Sequence, residues 1–268
     1  MWRDLFKQER SKRNKVTMIG TLPPIKGLSP YCLELLKSLS KHIFVEFINF
    51  KKLYPDFLYP GRDIGDNTYR PFTITNATIR NILTYYNPLS WIWAGFTIKS
   101  KIVHAQWWSL VLAPVYFVVL AICKFRGKKI IITVHSVLPH ADLPYENKRL
   151  NKFLNRVVLF LGDIFIVHST RNIEELHDIF GIPKEKIVRI PIGTLTSFKD
   201  SIVTKEDARE VLGLPLEGKI LLFFGTLRGY KGLDILLEAF FLCYQRERGG
   251  FFGDSRISLG GGGKNTKN

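Results

Sequence analysis

The segment Lys219 to Ala239, KILLFFGTLRGYKGLDILLEA, sets the expectation for the fold. It opens on the apolar run Ile220 to Phe224, which ends directly at Gly225. A short run of this kind, closed by glycine, predicts a buried parallel strand. The turn from Gly225 through Arg228 and Lys231 to Gly232 follows. Leu233, Leu236, Leu237 and Phe240 then recur at helical spacing. Asp234 lies in the first turn, where a carboxylate suits the positive end of a helix. Strand, glycine-rich turn and helix N-terminus together make a place for an anion, because free N–H groups point outward and glycines permit close approach. Arg228 and Lys231 add two cations to the same turn. The segment predicts a phosphate site.

Upstream, strands and helices alternate. Val16 to Gly20 reads as a strand, then a loop with Pro23, Pro24 and Gly27, then a helix that Pro30 suits as a start. Ile43 to Phe50 is a second strand, and residues 51 to 78 read as an extended connecting loop. Ile79 to Phe96 reads as a helix broken at Pro88; its aromatic residues serve either core packing or contact with a lipid or lipid-linked acceptor. Lys101 to His104, Ile130 to Val134, Asp163 to Val167 and Lys186 to Pro191 are further strands. Leu110 to Cys123 carries no charge, but it falls short of the roughly 20 residues of a membrane span and reads as a helix covering a sheet. Leu150 to Leu161 and the stretch up to Phe180 are helices, the latter capped by Thr170 or Asn172.

This alternation predicts an α/β fold with a doubly wound parallel sheet from residue 16 to 198. In such sheets ligands bind at the carboxyl ends of the strands, so His104, His135 and Ser169 are expected on one rim. A lone histidine at a strand end is also explained by local hydrogen bonding alone. A linker is expected over 199–216, a second strand-turn-helix unit over 217–245, and a glycine-rich disordered tail over 246–268. Residues 1–15 are dense in Arg and Lys around Trp2, Leu5 and Phe6. They read either as a basic amphipathic foot on an anionic membrane or as a solvated N-terminus.

Composition narrows the class. With 46% hydrophobic residues the 268-residue chain can build a large core, and its net charge of +16 favours an anionic partner. Cys32, Cys123 and Cys243 form no paired pattern, which points to a reducing, cytoplasmic compartment. The sequence has no Walker loop, no G-x-G-x-x-G and no G-x-S-x-G. Histidine and cysteine spacing fits no metal site, no Asp-x-Asp is present, and no nucleic-acid module is recognisable.

With these segments in view, the sequence resembles a family 4 retaining glycosyltransferase of the GT-B class. The resemblance covers residues 16 to about 243. It rests on PPIKGLSPY, ITVHS ending in the His135 region, DIFIVHST, EKIVRIPIG and, above all, ILLFFGTLRGYKGLDILLEAF. Lys231 matches the family lysine. Arg228 stands in an Arg-x-Tyr-Lys-Gly variant, because Thr226 occupies the commoner arginine position.

The resemblance implies transfer of a sugar from a nucleotide-sugar donor to a glycan or lipid-linked acceptor, with retained anomeric configuration, in polysaccharide biosynthesis. It implies that Gly225, Arg228, Lys231 and Gly232 bind the donor phosphates and that Gly27 lets its loop approach donor or acceptor. His135 would orient the reacting sugar, and neither a metal nor another cofactor is implied. The location expected is cytoplasmic, peripheral at the inner membrane face. The family's Glu-x7-Glu motif is missing, so a truncated donor domain and impaired activity are expected. The rival expectation is a non-catalytic, membrane-associated acceptor-binding fragment.

Overall fold

The computed structural model describes residues 15–25, 27–55, 72–137, 148–195, 204–224 and 231–248. A seven-stranded, all-parallel sheet organises them. Its strands are β1 (Lys15–Gly20), β2 (Phe44–Lys52), β3 (Ala77–Thr84), β4 (Ile102–Trp107), β5 (Lys129–Val134), β6 (Ile164–Val167) and β7 (Ile187–Arg189), in spatial order β3-β2-β1-β4-β5-β6-β7. The helices are α1 (Ser29–Ser40), α2 (Pro88–Thr97), α3 (Ala113–Phe125), α4 (Lys148–Leu159), α5 (Thr170–Phe180), α6 (Lys205–Val211) and α7 (Leu233–Arg248).

The order turns back at β1. The chain winds one way through β2 and β3, then returns past β1 to β4 and continues to β7. Right-handed crossovers therefore place α1 on one face and α2 to α5 on the other. The two hydrophobic clusters follow this division. Met18, Val45 and Phe47 pack with Cys32, Leu33 and Leu36 of α1. Ile19, Ile48, Val103, Ala105, Ile130, Ile132 and Phe165 pack with the helices of the opposite face, where Tyr116 and Val119 of α3 sit centrally. The period of two along each strand sends neighbours to opposite faces.

Two polar devices fix the ends of strands remote from the rim. Glu46, almost fully buried, accepts from Arg80 Nη1 at 3.0 Å and Thr17 Oγ1 at 3.0 Å and pairs with Lys15 Nζ at 3.3 Å, tying β1, β2 and β3. Asp163 accepts from Lys124 Nζ at 2.6 Å and from the Ile130 amide at 2.8 Å, locking α3 to β5. These bonds hold the Asp163 carboxyl below the ordinary range against the opposing effect of burial.

Residues 77–84 form β3, not the first part of a helix broken at Pro88. Among the described residues the strand sits at the sheet edge, and Arg80 and Asn81 are accommodated there by hydrogen bonds to Glu46 and Asn49. Pro88 then starts α2, with Asn87 capping the Leu89 amide. The cap of α5 is Ser169, not Thr170 or Asn172. Among the described residues Ile220 to Phe224 pair with no strand, and all but the half-buried Phe223 are exposed, Phe224 at 92%. A parallel strand needs a ladder partner and cover on both faces, and the described residues supply neither there. Helix α7 does form, and it runs past 245 to Arg248.

Candidate active site

Strands β4, β5 and β6 end side by side, and their α1-facing positions carry a run of polar side chains. On β4 these are His104 and Gln106, alternating with Val103, Ala105 and Trp107 of the opposite core. On β5 the same face carries Thr133 and then His135, just beyond the strand. After β6 comes His168.

The side chains form one hydrogen-bonded chain. Thr133 Oγ1 lies 2.7 Å from His104 Nε2, and Gln106 Nε2 lies 3.2 Å from the same nitrogen. Gln106 Oε1 is 2.9 Å from His135 Nε2. His135 Nδ1 is 3.3 Å from His168 Nε2, and His168 Nδ1 donates to the Ile190 carbonyl at 2.8 Å. Tyr31 of α1 closes the cluster, meeting His135 edge-on at 4.7 Å and His168 at 5.4 Å between ring centroids.

Gln106 meets His135 at Nε2 and His168 meets it at Nδ1, so both nitrogens of the His135 ring are occupied.

Burial, reinforced by the neighbouring His168 and His104, lowers the His135 pKa to about 3. Burial lowers His104 to about 4. Both rings are therefore neutral near pH 7. The Tyr31 phenol is pushed up to about 12, chiefly by burial. His135 is thus a fixed, uncharged group and a poor proton acceptor, suited to holding geometry at the rim.

The other expected residues divide. Gly27 has φ of +90°, a left-handed conformation that suits glycine, and it lies just ahead of α1, the helix that brings Tyr31 to the histidines. Ser169 accepts from the Asn172 amide at 3.2 Å and donates to Asn172 Oδ1, so its hydroxyl is engaged in capping α5. Lys231 and Gly232 stand at the start of α7, and the Gly232 carbonyl accepts from Leu236. Gly225 and Arg228 lie outside the described residues.

Sequence reasoning missed Gln106, Thr133, His168 and Tyr31. Period-two alternation was the available signal for His104 and Gln106, since both face one way along a strand. It also missed Thr21 and Ser29, whose hydroxyl oxygens flank the Gly27 loop, buried and without a hydrogen-bond partner among the described residues. A cleft of about 750 Å³ opens beside the cluster, between α1, residues 73–75 and the chain leaving β7; Tyr31 and Ile190 are common to both. Among the described residues no group of three or more His, Cys, Asp or Glu side chains is placed to hold a metal.

A doubly wound parallel sheet with its polar cluster at the carboxyl ends is the architecture of one half of a GT-B glycosyltransferase. One solved structure with this fold agrees. Anabaena HepE in complex with UDP-glucose superposes with a TM-score of 0.56 at 13% identity, covering 84% of this chain and 57% of HepE. HepE with UDP gives 0.47 at 11% identity, over 75% and 50%. Medicago truncatula UGT71G1 with UDP-glucose gives 0.37 at 11% identity, over 76% and 57%. The chain thus spans little more than half the length of these proteins. No curated protein matches the sequence. Residues 25–198 match the family model described as Glycosyltransferase Family 4, and the chain belongs to that family.

Proposed function

We propose that this chain works as a retaining glycosyltransferase, taking a sugar from a nucleotide-sugar donor to a glycan or lipid-linked acceptor. The observation that supports this most is the seat of His135. It stands at the carboxyl end of β5, is held through both ring nitrogens, and lies beside a cleft roomy enough for a sugar. His135 fixes the reacting sugar by contact and shape, and the cleft between α1 and the exit of β7 receives the acceptor.

Negative charge develops on the leaving pyrophosphate as the glycosidic bond to the donor breaks. Arg228, Lys231 and the amides at the start of α7 stabilise that charge, with Gly225 and Gly232 permitting close approach. Cationic side chains can do this without a bound metal. Gly27 brings the β1–α1 loop to donor or acceptor. The reaction belongs in a reducing cytoplasm: Cys32, Cys123 and Cys243 are all free thiols. HepE, as solved with UDP-glucose, supports a nucleotide sugar as donor class. Residues 16–198 form the acceptor-side domain in this reading, and 217–245 contribute to the donor side.

One observation favours a second reading, a non-catalytic acceptor-binding module: Ile220 to Phe224 form no strand beneath the phosphate turn. The two readings part in a single experiment. The protein is incubated with a panel of labelled nucleotide sugars and a lipid-linked glycan acceptor, and product anomers are assigned by proton NMR. Transfer with the donor's anomeric configuration supports the enzyme. Inverted product, or no transfer with any donor, overturns it.

A further inference from the structure

We propose that the face built by α2, α3 and α4 is a docking surface for an anionic lipid bilayer. This inference concerns the side of the sheet opposite the histidine cluster and stands apart from the transfer reaction.

The first observation is apolar exposure in register. On α2, Leu89, Ile92, Trp93 and Phe96 are all exposed, at the i, i+3, i+4, i+7 spacing of one helix face. Trp93 is 53% exposed although Trp91, two residues earlier, is buried with its Nε1 donating to the Thr84 carbonyl. Arg80 lies 5.0 Å over the Trp93 ring, a cation beside an interfacial aromatic. Between α3 and α4, Pro114, Phe117, Phe153, Val157 and Phe160 line a shallow groove of about 490 Å³, with Arg156 at its lip. Phe153 and Phe160 are exposed, as is Phe125 at the end of α3.

The second observation is charge. From Asn67 to Ala141 the sequence contains no Asp or Glu, and α4 contains none. Helices α1, α5, α6 and α7 all carry carboxylates. The carboxylate nearest in sequence after α4, Asp163, is already paired with Lys124. Arg149, Lys152 and Arg156 of α4 are exposed, as are Lys99 and Lys101 just after α2 and Arg126 just after α3. Arg149 even stands in the first turn of α4, where a cation opposes the helix dipole and the turn itself holds no acid.

Three neighbouring helices that show large apolar side chains fringed, among the described residues, by cations and by one carboxylate already paired with Lys124 complement an anionic headgroup layer over hydrocarbon. A protein partner would be expected to meet carboxylates as well as cations across its polar rim. Among the described residues no helix is long and apolar enough to cross a membrane, so this face lies on the bilayer.

The test is vesicle co-sedimentation of the full chain, with phosphatidylcholine alone and with phosphatidylglycerol added. Binding is expected only with the anionic lipid. Replacing Lys152→Gln and Arg156→Gln together should weaken it about thirtyfold, at the usual strength of a basic side chain near a charged surface. Leu89→Gln with Trp93→Gln should weaken it too, whereas Lys37→Gln with Lys41→Gln, on the opposite face, should leave it unchanged. Circular dichroism confirms that each variant is folded. Equal binding to both vesicle types, no binding, or binding lost only when residues 1–14 are deleted overturns the proposal.

Discussion

His168 Nε2 stands 3.3 Å from His135 Nδ1, so the ends of β6 and β5 are joined through two imidazoles. Replacing His168 by Leu leaves a buried His135 nitrogen without a partner. Such an orphan costs about 1–3 kcal/mol, and thermal unfolding should register it. His168→Gln, which can still donate or accept, should recover part of the loss. Equal melting temperatures for the Leu variant and the wild type would show the pair to be energetically idle.

The histidine cluster also makes stability depend on pH. His135 falls from an ordinary 6.5 to about 3 and His104 to about 4 in the fold, so the unfolded chain binds more protons below pH 6.5. Their contribution is complete above pH 6.5 and is lost as pH falls toward 3. At pH 5 the loss for His135 alone is about 2 kcal/mol. Denaturant titrations between pH 7 and pH 4 should show this decline, with a shallower slope in His135→Phe. An identical slope in that variant would remove His135 as a cause.

Helices α2 and α3 touch through Gly95. A Cβ there would meet Ile122 Cβ at 2.9 Å and Cγ2 at 3.0 Å. Gly95→Ala should therefore destabilise the protein by about 1–3 kcal/mol through overpacking. Pairing it with Ile122→Val should lessen the effect, which a double-mutant cycle measures directly.

Glu46 anchors the other end of the sheet. Glu46→Leu strands Arg80, whose guanidinium also reaches Thr97, and should cost about 3 kcal/mol. Because the network lies at the amino ends of β1 to β3, donor binding by the folded variant should be unchanged. A parallel loss of donor affinity would mean that the two ends of the sheet are coupled.

Much of this architecture was legible in the sequence. The apolar runs that became β1, β2 and β4 to β7 are short and bounded, and the helices between them show their spacing. Strand β3 was not legible, because Arg80 and Asn81 break its pattern and the aromatic residues that follow belong to a helix. Ile220 to Phe224 misled in the opposite sense. Local pattern announces a buried strand there, but strand formation depends on a neighbour that local pattern cannot supply. Of the site, His104 and His135 could be named from their strand ends. Their junction through Gln106 and His168 could not, since it depends on which strands lie side by side once the chain turns back at β1.

The central claim is that the phosphate turn and the histidine rim serve a nucleotide sugar. Calorimetric titration of the protein with UDP- and GDP-sugars, repeated on Lys231→Ala, tests it most directly. Saturable binding of at least one of them is expected, weakened about tenfold or more when the charge-assisted contact to phosphate is removed. Absence of saturable binding across the panel, or binding that Lys231→Ala leaves untouched, would contradict it.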